Sequence, residues 1–256
     1  MLRGVTESTA PPESAAPQSC SVTLTVSALV LDMDDTINRT GPAMRTGLWR
    51  ATEELWPQLD DEERGRRIED YVADRAGWFD RFSSGHIDFE TMRRGRLGDM
   101  AAGLGERLDD ERLHRFESVY RAAFAAACAP WPDALGLIDR ADAAGVPVAV
   151  LSNSAQRMTL MKVDRLGLAG RFALVLSSDR LGSGKPDPAA YRAACERLGA
   201  EPALTGYVDD SLRDAGGAAL AGLQSCWLDR ARRGGAPAGQ RVVTDLDRLL
   251  IERAGR

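Results

Sequence analysis

The sequence predicts an α/β protein, a doubly wound parallel sheet with a helical segment inserted after its first strand. Apolar strand-like segments alternate with amphipathic segments after residue 130, which is typical of a parallel sheet with helices on both faces. A similar apolar segment, VTLTVSALVLD, comes near the start of the chain. The long stretch between them has helical periodicity and little strand character. The 256 residues suffice for one domain with such an insert.

The first predicted strand is VTLTVSALVLD, interpreted as one continuous strand that is buried at its end. A helical segment follows, and its first helix is predicted in AMRTGLWRATEELW, which ends near Pro57. A second helix is predicted in DDERLHRFESVYRAAFAAAC, where apolar residues recur every three or four positions. Asp109 or Asp110 is placed to cap its first turn.

Strand and helix then alternate to the end of the chain. The predicted elements are, in order, the helix PDALGLIDRADAAG, the strand VPVAVLS, the helix AQRMTLMKVDRLGL, the strand FALVLSS, the helix PAAYRAACERLG, the strand LTGYVDD, the helix LRDAGGAALAG and the strand QSCWLD. RRGGAPAGQ is predicted as a loop and VTDLDRLLIER as a closing helix. We therefore expect residues 23–39 and 130–256 to form the core, and residues 40–129 to form an inserted helical domain.

Composition argues against several classes of function. The net charge of −5, with basic residues scattered, gives no basis for binding a nucleic acid polymer or a membrane surface. Residues 1–22, rich in Ser, Thr, Pro and Ala, are predicted to be a disordered tail rather than a signal peptide. The 4 cysteines lack C-x-x-C spacing, which favours reduced thiols in a cytoplasmic protein. Only 2 histidines are present, so a His-based metal site or a Ser-His-Asp triad is disfavoured.

Three carboxylates, Asp32, Asp34 and Asp35, stand at the end of the first strand. Burying like charges this close together is costly unless a cation compensates. Either the strand ends in solvent, or the acids hold a metal ion and take part in a reaction. Carboxylate oxygens with no His or Cys beside them favour Mg²⁺ over Zn²⁺.

Polar residues also stand at the ends of other predicted strands and in a loop between them. They are Ser152, Asn153, Lys185, Asp209 and Asp210. Because ligands of such sheets bind beyond the carboxyl ends of the strands, we expect these residues to gather beside the first carboxylates. When an aspartate attacks phosphorus, the negative charge of both the aspartate and the phosphate must be neutralised. Mg²⁺ and a lysine supply the positive charge for this. The helix that begins near Ser154 is predicted to point free N–H groups at the same place, as a seat for phosphate.

In order and approximate spacing, these segments resemble the four motifs of the haloacid dehalogenase (HAD) superfamily. The insert is similar in position and helical character to the family's C1 cap, and the match covers nearly all of the chain after the tail. The resemblance implies a Rossmann-like core and a phosphatase that works through an aspartyl-phosphate. It makes Asp32 the nucleophile and Asp34 the general acid and base. It also implies that Ser152, Asn153 and Lys185 bind the substrate phosphate.

The resemblance further implies a Mg²⁺ ion held by Asp32, by the main-chain carbonyl of Asp34 and by the acids that follow LTGYV. Asp210 aligns best with the direct ligand, and Asp209 is placed to reach the ion through water. Asp214 is a third candidate, so the choice among these three acids stays open at this point.

Several residues have structural roles as alternatives. Asp35 stands where the family often has glycine and is interpreted as structural. Thr36 is predicted to cap or brace the turn, and Asn153 to be either a phosphate ligand or a turn residue. Arg45 and Trp49, early in the first insert helix, are candidate specificity residues that contact the leaving group by ion pairing and stacking. Packing of Trp49 and solvation of Arg45 are the alternatives.

The sequence therefore predicts a Mg²⁺-dependent phosphatase that acts on a small phosphorylated metabolite. The segment SCWLDR is similar to one in family members that act on nucleotides and sugar phosphates. The alternatives are a phosphomutase, which passes the phosphoryl group to a sugar, and a non-catalytic regulator that binds a phosphorylated ligand. A haloacid dehalogenase is disfavoured, because that branch lacks the second aspartate that Asp34 supplies here.

Overall fold

The centre of the molecule is a sheet of parallel strands, and the computed structural model describes residues 21–255. The strands are β2 (Ala28–Leu31), β3 (Val148–Ser152), β4 (Leu174–Ser177), β5 (Thr205–Asp209), β6 (Gln224–Leu228) and β7 (Arg241–Val243). Their spatial order is β4-β3-β2-β5-β6-β7, and every neighbouring pair is parallel. The chain builds outward on one side of β2 and then on the other, so the end of β2 lies at a topological switch point. The predicted fold class is confirmed.

Helices cover both faces of this sheet. They are α6 (Pro132–Ala143), α7 (Gln156–Arg165), α8 (Ser178–Leu181), α9 (Pro188–Leu198) and α10 (Leu212–Leu220). Every residue of β2, β3 and β5 is buried, as expected for central strands packed on both faces. One apolar cluster includes Leu137 and Ile138 of α6, and the other includes Tyr191 of α9 and Ala218 of α10.

The prediction of one continuous first strand is wrong. Residues 22–31 form two strands, and β1 (Val22–Val26) pairs with a strand at the end of the chain in a separate 2-stranded sheet. The break comes at Ser27, whose N–H and hydroxyl both donate to the Leu204 carbonyl, at 2.7 and 3.1 Å. Residues 1–20 of the predicted tail lie outside the described residues, and Val22 belongs to β1 rather than to the tail.

The predicted closing helix is also wrong. Its residues form a short 3-10 turn, Leu246–Arg248, and then β8 (Leu249–Arg253), which runs parallel to β1. Leu249 is buried whereas Leu250 is 44% exposed, and this alternation is that of a strand. The distant partner strand β1 supplies the hydrogen bonds that decide between the two structures.

Five helices occupy the segment between β2 and α6. They are α1 (Thr40–Leu55), α2 (Asp61–Ala73), α3 (Trp78–Ser83), α4 (Phe89–Ala102) and α5 (Asp110–Ala127). Asp109 caps α5 by accepting from the Arg112 N–H at 2.9 Å, as predicted. Glycine at position 47 permits a close approach of α1 to α5, since a Cβ there would lie 3.0 Å from the Tyr120 ring. Among the described helices, none is both long and apolar enough to cross a membrane.

The helices of this segment have an apolar cluster of their own. Leu48, Trp56 and Phe116 are buried in it, and Met158 and Met161 of α7 pack against it. Helix α7 therefore connects the insert to the sheet, because a short loop joins it to the end of β3 and its methionines pack against the insert.

Candidate active site

Asp32 and Lys185 form the centre of the site. Asp32 directly follows β2 and is 4% exposed, and Lys185 is 5% exposed. The Lys185 ammonium lies 2.6 Å from Asp32 Oδ1 and 2.7 Å from Asp209 Oδ2. Although burial opposes it, the Asp209 and Asp32 carboxylates raise the pKa of Lys185 well above its usual value. The ammonium thus stays charged between two strand ends, as a cation beside the predicted nucleophile.

Asn153 positions Lys185 through the main chain. Its Nδ2 donates to the Lys185 carbonyl at 2.8 Å, and its Oδ1 accepts from the Lys185 N–H at 2.8 Å. Both polar ends of the amide are therefore used, which favours the alternative interpretation as a turn residue over the predicted contact with phosphate. Ser152, buried at the end of β3, has a hydroxyl that lies 3.3 Å from Asp34 Oδ2.

Asp209 and Asp210 differ sharply in their surroundings. Asp209 is 1% exposed, and its carboxylate accepts from Lys185, from the Tyr207 hydroxyl and from the Ser211 N–H at 2.8 Å. The Asp210 carboxylate has no hydrogen-bond donor among residues 21–255. Protein donors therefore fill the hydrogen-bonding capacity of the Asp209 carboxylate, whereas the Asp210 carboxylate remains free to bind a ligand.

The acids that close β2 and β5 form a cluster suited to a hard cation. Oxygens of Asp32, Asp209 and Asp210 all lie within 4.8 Å of one another. Burial, followed by repulsion from Asp209 and Asp35, raises the pKa of Asp210 to about 7. Lys185 and Arg233 offset this rise only in part, and oxygen donors of this kind are those that Mg²⁺ prefers. The donor set therefore fits the ion that the sequence implied.

Asp214 is not a member of this cluster. Its carboxylate lies 3.9 Å from the Lys185 ammonium, and burial raises its pKa to about 6. Of the three acids among which the sequence left the choice open, Asp210 is thus the one with a free carboxylate beside Asp32.

We expect Asp210→Asn to stabilise the metal-free protein at high pH. The pKa of Asp210 is about 7 in the folded state against an ordinary value of 3.8, so the folded state holds a proton that the unfolded chain releases. Stability therefore falls as pH rises between these values, and the penalty is complete near pH 8. We expect the free energy of unfolding of the variant to exceed that of the wild type by about 2–4 kcal/mol at pH 8. Urea unfolding in EDTA at pH 4 and pH 8 measures this, and a difference independent of pH would contradict it.

Asp34 is held by donors from three parts of the chain. Its Oδ1 accepts from the Thr40 hydroxyl at 2.7 Å and from the ammonium of Lys162. Its Oδ2 accepts from the hydroxyls of Ser154 at 2.9 Å and Ser152 at 3.3 Å. Burial raises the pKa of Asp34, but Lys162 and these hydroxyls outweigh it and lower the pKa below its ordinary value. In the free protein Asp34 is therefore a carboxylate.

Lys162 is a site residue that sequence reasoning did not identify. It lies in the last turn of α7, where a lysine ordinarily extends into solvent, yet it is 2% exposed. Its position on the helix could have indicated that it is buried, since Thr159 and Val163, three residues before it and one after it, are also buried. Helical position does not identify the partner of a buried lysine, however, and Asp34 is 128 residues away in sequence.

Arg230 is a second residue that sequence reasoning did not identify. Its guanidinium donates to the carbonyls of Asp35 at 3.4 Å and Thr36 at 3.2 Å, in the turn that follows Asp32. Asp133 fixes it with two contacts, at 2.6 and 3.0 Å. The arginine of SCWLDR therefore braces the turn after Asp32.

The turn after Asp32 also contains two predicted structural residues. Asp35 has a φ of 58°, a left-handed conformation that glycine, asparagine and aspartate tolerate best. Its Oδ1 accepts from the Gly41 N–H at 3.0 Å, so it caps α1, whose own N-cap residue, Arg39, makes no side-chain cap. The Thr36 hydroxyl accepts from the Asp210 N–H at 3.1 Å and so ties the turn to the end of β5.

Substitutions of Asp35 should separate its two roles. Asn keeps both the left-handed backbone and a capping oxygen, Gly keeps only the backbone, and Ala keeps neither. We expect a loss of unfolding free energy that is small for Asp35→Asn, about 1 kcal/mol for Asp35→Gly and about 2 kcal/mol for Asp35→Ala. Urea unfolding measures the series, and an Ala variant as stable as the Gly variant would remove the backbone argument.

The two candidate specificity residues make their contacts within the insert. Arg45 pairs with Glu69 at 2.7 Å, and Trp49 Nε1 donates to Glu53 at 2.9 Å. Trp49 also packs against the insert cluster. The structure therefore favours the alternative roles for both residues, with Trp49 in packing and Arg45 in a surface ion pair.

The beginning of α7 is occupied by a carboxylate from a neighbouring helix. The Gln156 N–H lies 3.2 Å from both carboxylate oxygens of Asp179. The predicted seat for phosphate at this helix N-terminus is thus already filled at its first free N–H group, and this part of the prediction is not supported.

A cavity of about 1040 Å³ lies between the insert and the sheet. Residues 82–85 and 87–90, from the end of α3 to the start of α4, line one side, and Ala155, Arg157 and Lys185 are among those on the other. A salt bridge of 3.6 Å joins Arg157 to Glu90 across it. The cavity is large enough for a small metabolite and reaches the lysine that contacts Asp32.

Known proteins resemble this chain in sequence and in fold. The sequence profile of the haloacid dehalogenase-like hydrolases matches residues 26–222. A phosphoglycolate phosphatase from Thiobacillus denitrificans is 26% identical over 89% of this chain and 91% of its own.

Two further relatives are more similar over shorter segments. A phosphoserine phosphatase from Thermus thermophilus is 36% identical over 40% of this chain and 42% of its own length. An (S)-2-haloacid dehalogenase from a Pseudomonas species is 31% identical over 47% of this chain and 54% of its own. The chain thus spans about half the length of these two relatives.

A solved structure has the same fold. The HAD-hydrolase YfnB from Bacillus subtilis, solved with bound magnesium, superposes with a TM-score of 0.72 and 20% identity over 87% of this chain and 96% of that one.

Proposed function

Since the chain belongs to the haloacid dehalogenase-like hydrolases, we propose that it is a Mg²⁺-dependent phosphatase that acts on a small phosphorylated metabolite. One observation carries the proposal. Two aspartates, Asp32 and Asp34, stand at the switch point of the sheet, and each contacts its own buried lysine, Lys185 and Lys162. Such a site offers a nucleophile, a separate proton carrier and positive charge for a phosphate.

In the proposed reaction, a carboxylate oxygen of Asp32 attacks the phosphorus and the bond to the leaving oxygen breaks. Asp34 gives a proton to that oxygen, and the phosphoryl group remains on Asp32 as an aspartyl-phosphate. Asp34, again a carboxylate, then takes a proton from a water molecule, which attacks the same phosphorus and releases inorganic phosphate. The lowered pKa of Asp34 keeps its side chain ionised, the form that takes the proton in the second step. For the first step, the approach of a phosphate dianion favours its protonation.

The remaining polar groups bind and orient the phosphate. Lys185 faces the nucleophile and the Ser152 hydroxyl lies beside Asp34, so both are placed to donate to phosphate oxygens. Asp32, the main-chain carbonyl of Asp34 and Asp210 would hold the metal ion, with Asp209 beside them. A bound Mg²⁺ neutralises charge on the attacking carboxylate and on the phosphate.

We further propose that residues 40–129 act as a cap over the core formed by residues 23–39 and 130–256. Salt bridges of Arg157 with Glu90 and of Arg213 with Asp80 join the two, at 3.6 and 3.4 Å. The cavity between them would take the leaving group, which assigns substrate selection to residues 82–85 and 87–90. Free cysteines at positions 128, 195 and 226 support a cytoplasmic location.

A haloacid dehalogenase is the second candidate, because a relative of that name matches nearly half of the chain. Asp34 argues against it, since a carboxylate with its own lysine has no role in displacing a halide from carbon. A phosphomutase and a non-catalytic binding protein remain the alternatives with the same ligand chemistry.

The test is a panel of substrates with and without Mg²⁺. It includes phosphoserine, phosphoglycolate, sugar phosphates, nucleotides and an (S)-2-haloacid. We expect the protein to release inorganic phosphate from at least one ester and to release no halide from the haloacid. Halide release without phosphate release would establish the dehalogenase, and transfer between sugar positions without net hydrolysis would establish the mutase.

A further inference from the structure

The Lys162 ammonium has no role in the reaction as proposed above, and yet it is buried in the same site. Its Nζ contacts Asp34 Oδ1 and lies 3.1 Å from Ser154 Oγ. Among the described residues, Asp34 is the only carboxylate that pairs with it. Because an ammonium is costly to bury without a partner, the position of Lys162 is explained by Asp34.

The two oxygens of Asp34 are held unequally. Oδ1 accepts hydrogen bonds from the Lys162 ammonium and from the Thr40 hydroxyl, the latter at 2.7 Å. The Thr40 hydroxyl accepts from Asn38 Nδ2 at 2.7 Å, so its own proton is directed at Asp34. Oδ2 has only hydroxyl donors, and that of Ser152 lies at the longer distance of 3.3 Å. The hydroxyl of Ser152 is also the one that would turn to a bound phosphate, which leaves Oδ2 with a single donor, the Ser154 hydroxyl at 2.9 Å.

We propose that Lys162 is a positioning residue that anchors Oδ1 of Asp34, so that Oδ2 is the atom that exchanges a proton with the leaving oxygen. This inference rests on the proposed function, because it concerns the proton step of that reaction. The anchor also has a structural origin. Thr40 is the first residue of α1 and Lys162 lies on α7, so both groups that hold Oδ1 lie where the insert meets the sheet.

Two aryl phosphates of similar size separate this role from general damage. p-Nitrophenolate departs without a proton, whereas phenolate from phenyl phosphate needs one, so only the second substrate depends strongly on Asp34. The ratio kcat/KM reports the steps up to transfer of the phosphoryl group to Asp32. We expect Lys162→Met to lower kcat/KM about 100-fold for phenyl phosphate and less than about tenfold for p-nitrophenyl phosphate. Asp34→Asn should show the same preference for the nitrophenyl ester.

Two further variants serve as a second test and as a control. Thr40→Val removes the other donor to Oδ1 without burying a charge, and we expect the same preference with a smaller loss, about tenfold. Arg165→Met changes an exposed cation on the same helix and should alter neither rate. A loss that is equal for both esters in Lys162→Met and Thr40→Val, or no loss in either, overturns the proposal.

A crystal structure of the Lys162→Met variant supplies a readout other than activity. We expect the Asp34 carboxylate to leave its position between Thr40 and Ser154, whereas an unmoved carboxylate overturns the proposal. If the wild type hydrolyses neither ester nor any other phosphate, the proposed function fails, and the structure of the variant still decides whether Lys162 positions Asp34.

Discussion

Replacement of Asp32 by asparagine is expected to abolish phosphate release while the fold remains intact. The amide has nearly the same shape as the carboxylate but lacks the anionic oxygen that attacks phosphorus. Lys185 keeps Asp209 as a partner at 2.7 Å, so its buried charge is not left alone. We expect turnover to fall below about one thousandth of the wild-type rate, the scale found when a nucleophile is removed.

The matched control is Asp139→Asn. Asp139 is an exposed aspartate that pairs with Arg171 at 2.7 Å and lies outside the site. This variant should keep wild-type turnover, and circular dichroism should show that both variants are folded. A folded Asp32→Asn protein that releases phosphate at a near-normal rate would show that Asp32 is not the nucleophile.

Removal of divalent metal is expected to have the second large effect. Exhaustive treatment with EDTA should abolish turnover, and Mg²⁺ should restore it. The reason is the incompletely compensated charge at Asp210, whose carboxylate lies within 4.8 Å of oxygens of Asp32 and Asp209 and whose pKa is raised to about 7. Without a metal ion, Lys185 would be left to offset these acids, which would repel an anionic substrate as well as one another.

Two asparagine variants locate the ion. Mg²⁺ should raise the unfolding temperature of the wild type and of Asp214→Asn, but much less that of Asp210→Asn, because Asp214 lies outside the cluster of acids. The reverse result, with the response lost in Asp214→Asn and kept in Asp210→Asn, would move the metal site to Asp214. Full activity in metal-free protein would remove the metal from the account.

The residues that sequence reasoning located are those fixed by the ends of strands. Asp32 and Asp209 adjoin or end buried parallel strands, and Lys185 comes in a loop with a recognisable pattern, so the topology alone brings them to one edge. Lys162 and Arg230 were not identified, because the sequence around a basic residue in a helix or after a strand does not indicate its distant partner. The choice between Asp209 and Asp210 likewise needed the positions of Lys185 and Tyr207, which satisfy only the first.

The errors in the fold have a similar cause. β1 and β8 pair with each other across most of the length of the chain, as Val22 with Leu249. A short apolar stretch such as LLI fits a helix or a strand equally well on local pattern, and the distant partner decides. The break at Ser27 depends in the same way on the Leu204 carbonyl, which accepts both of its donors.

The most direct test of the account is detection of the phosphorylated aspartate itself. Wild-type protein with Mg²⁺ and an accepted phosphate ester is quenched in acid within one turnover, treated with borohydride and digested, and its peptides are analysed by mass spectrometry. An aspartyl-phosphate is reduced to homoserine, so the account predicts homoserine at position 32 in the wild type, none in Asp32→Asn, and an unchanged Asp34. Turnover with no modification at position 32 in any quenched sample, or modification at Asp34 instead, would contradict it.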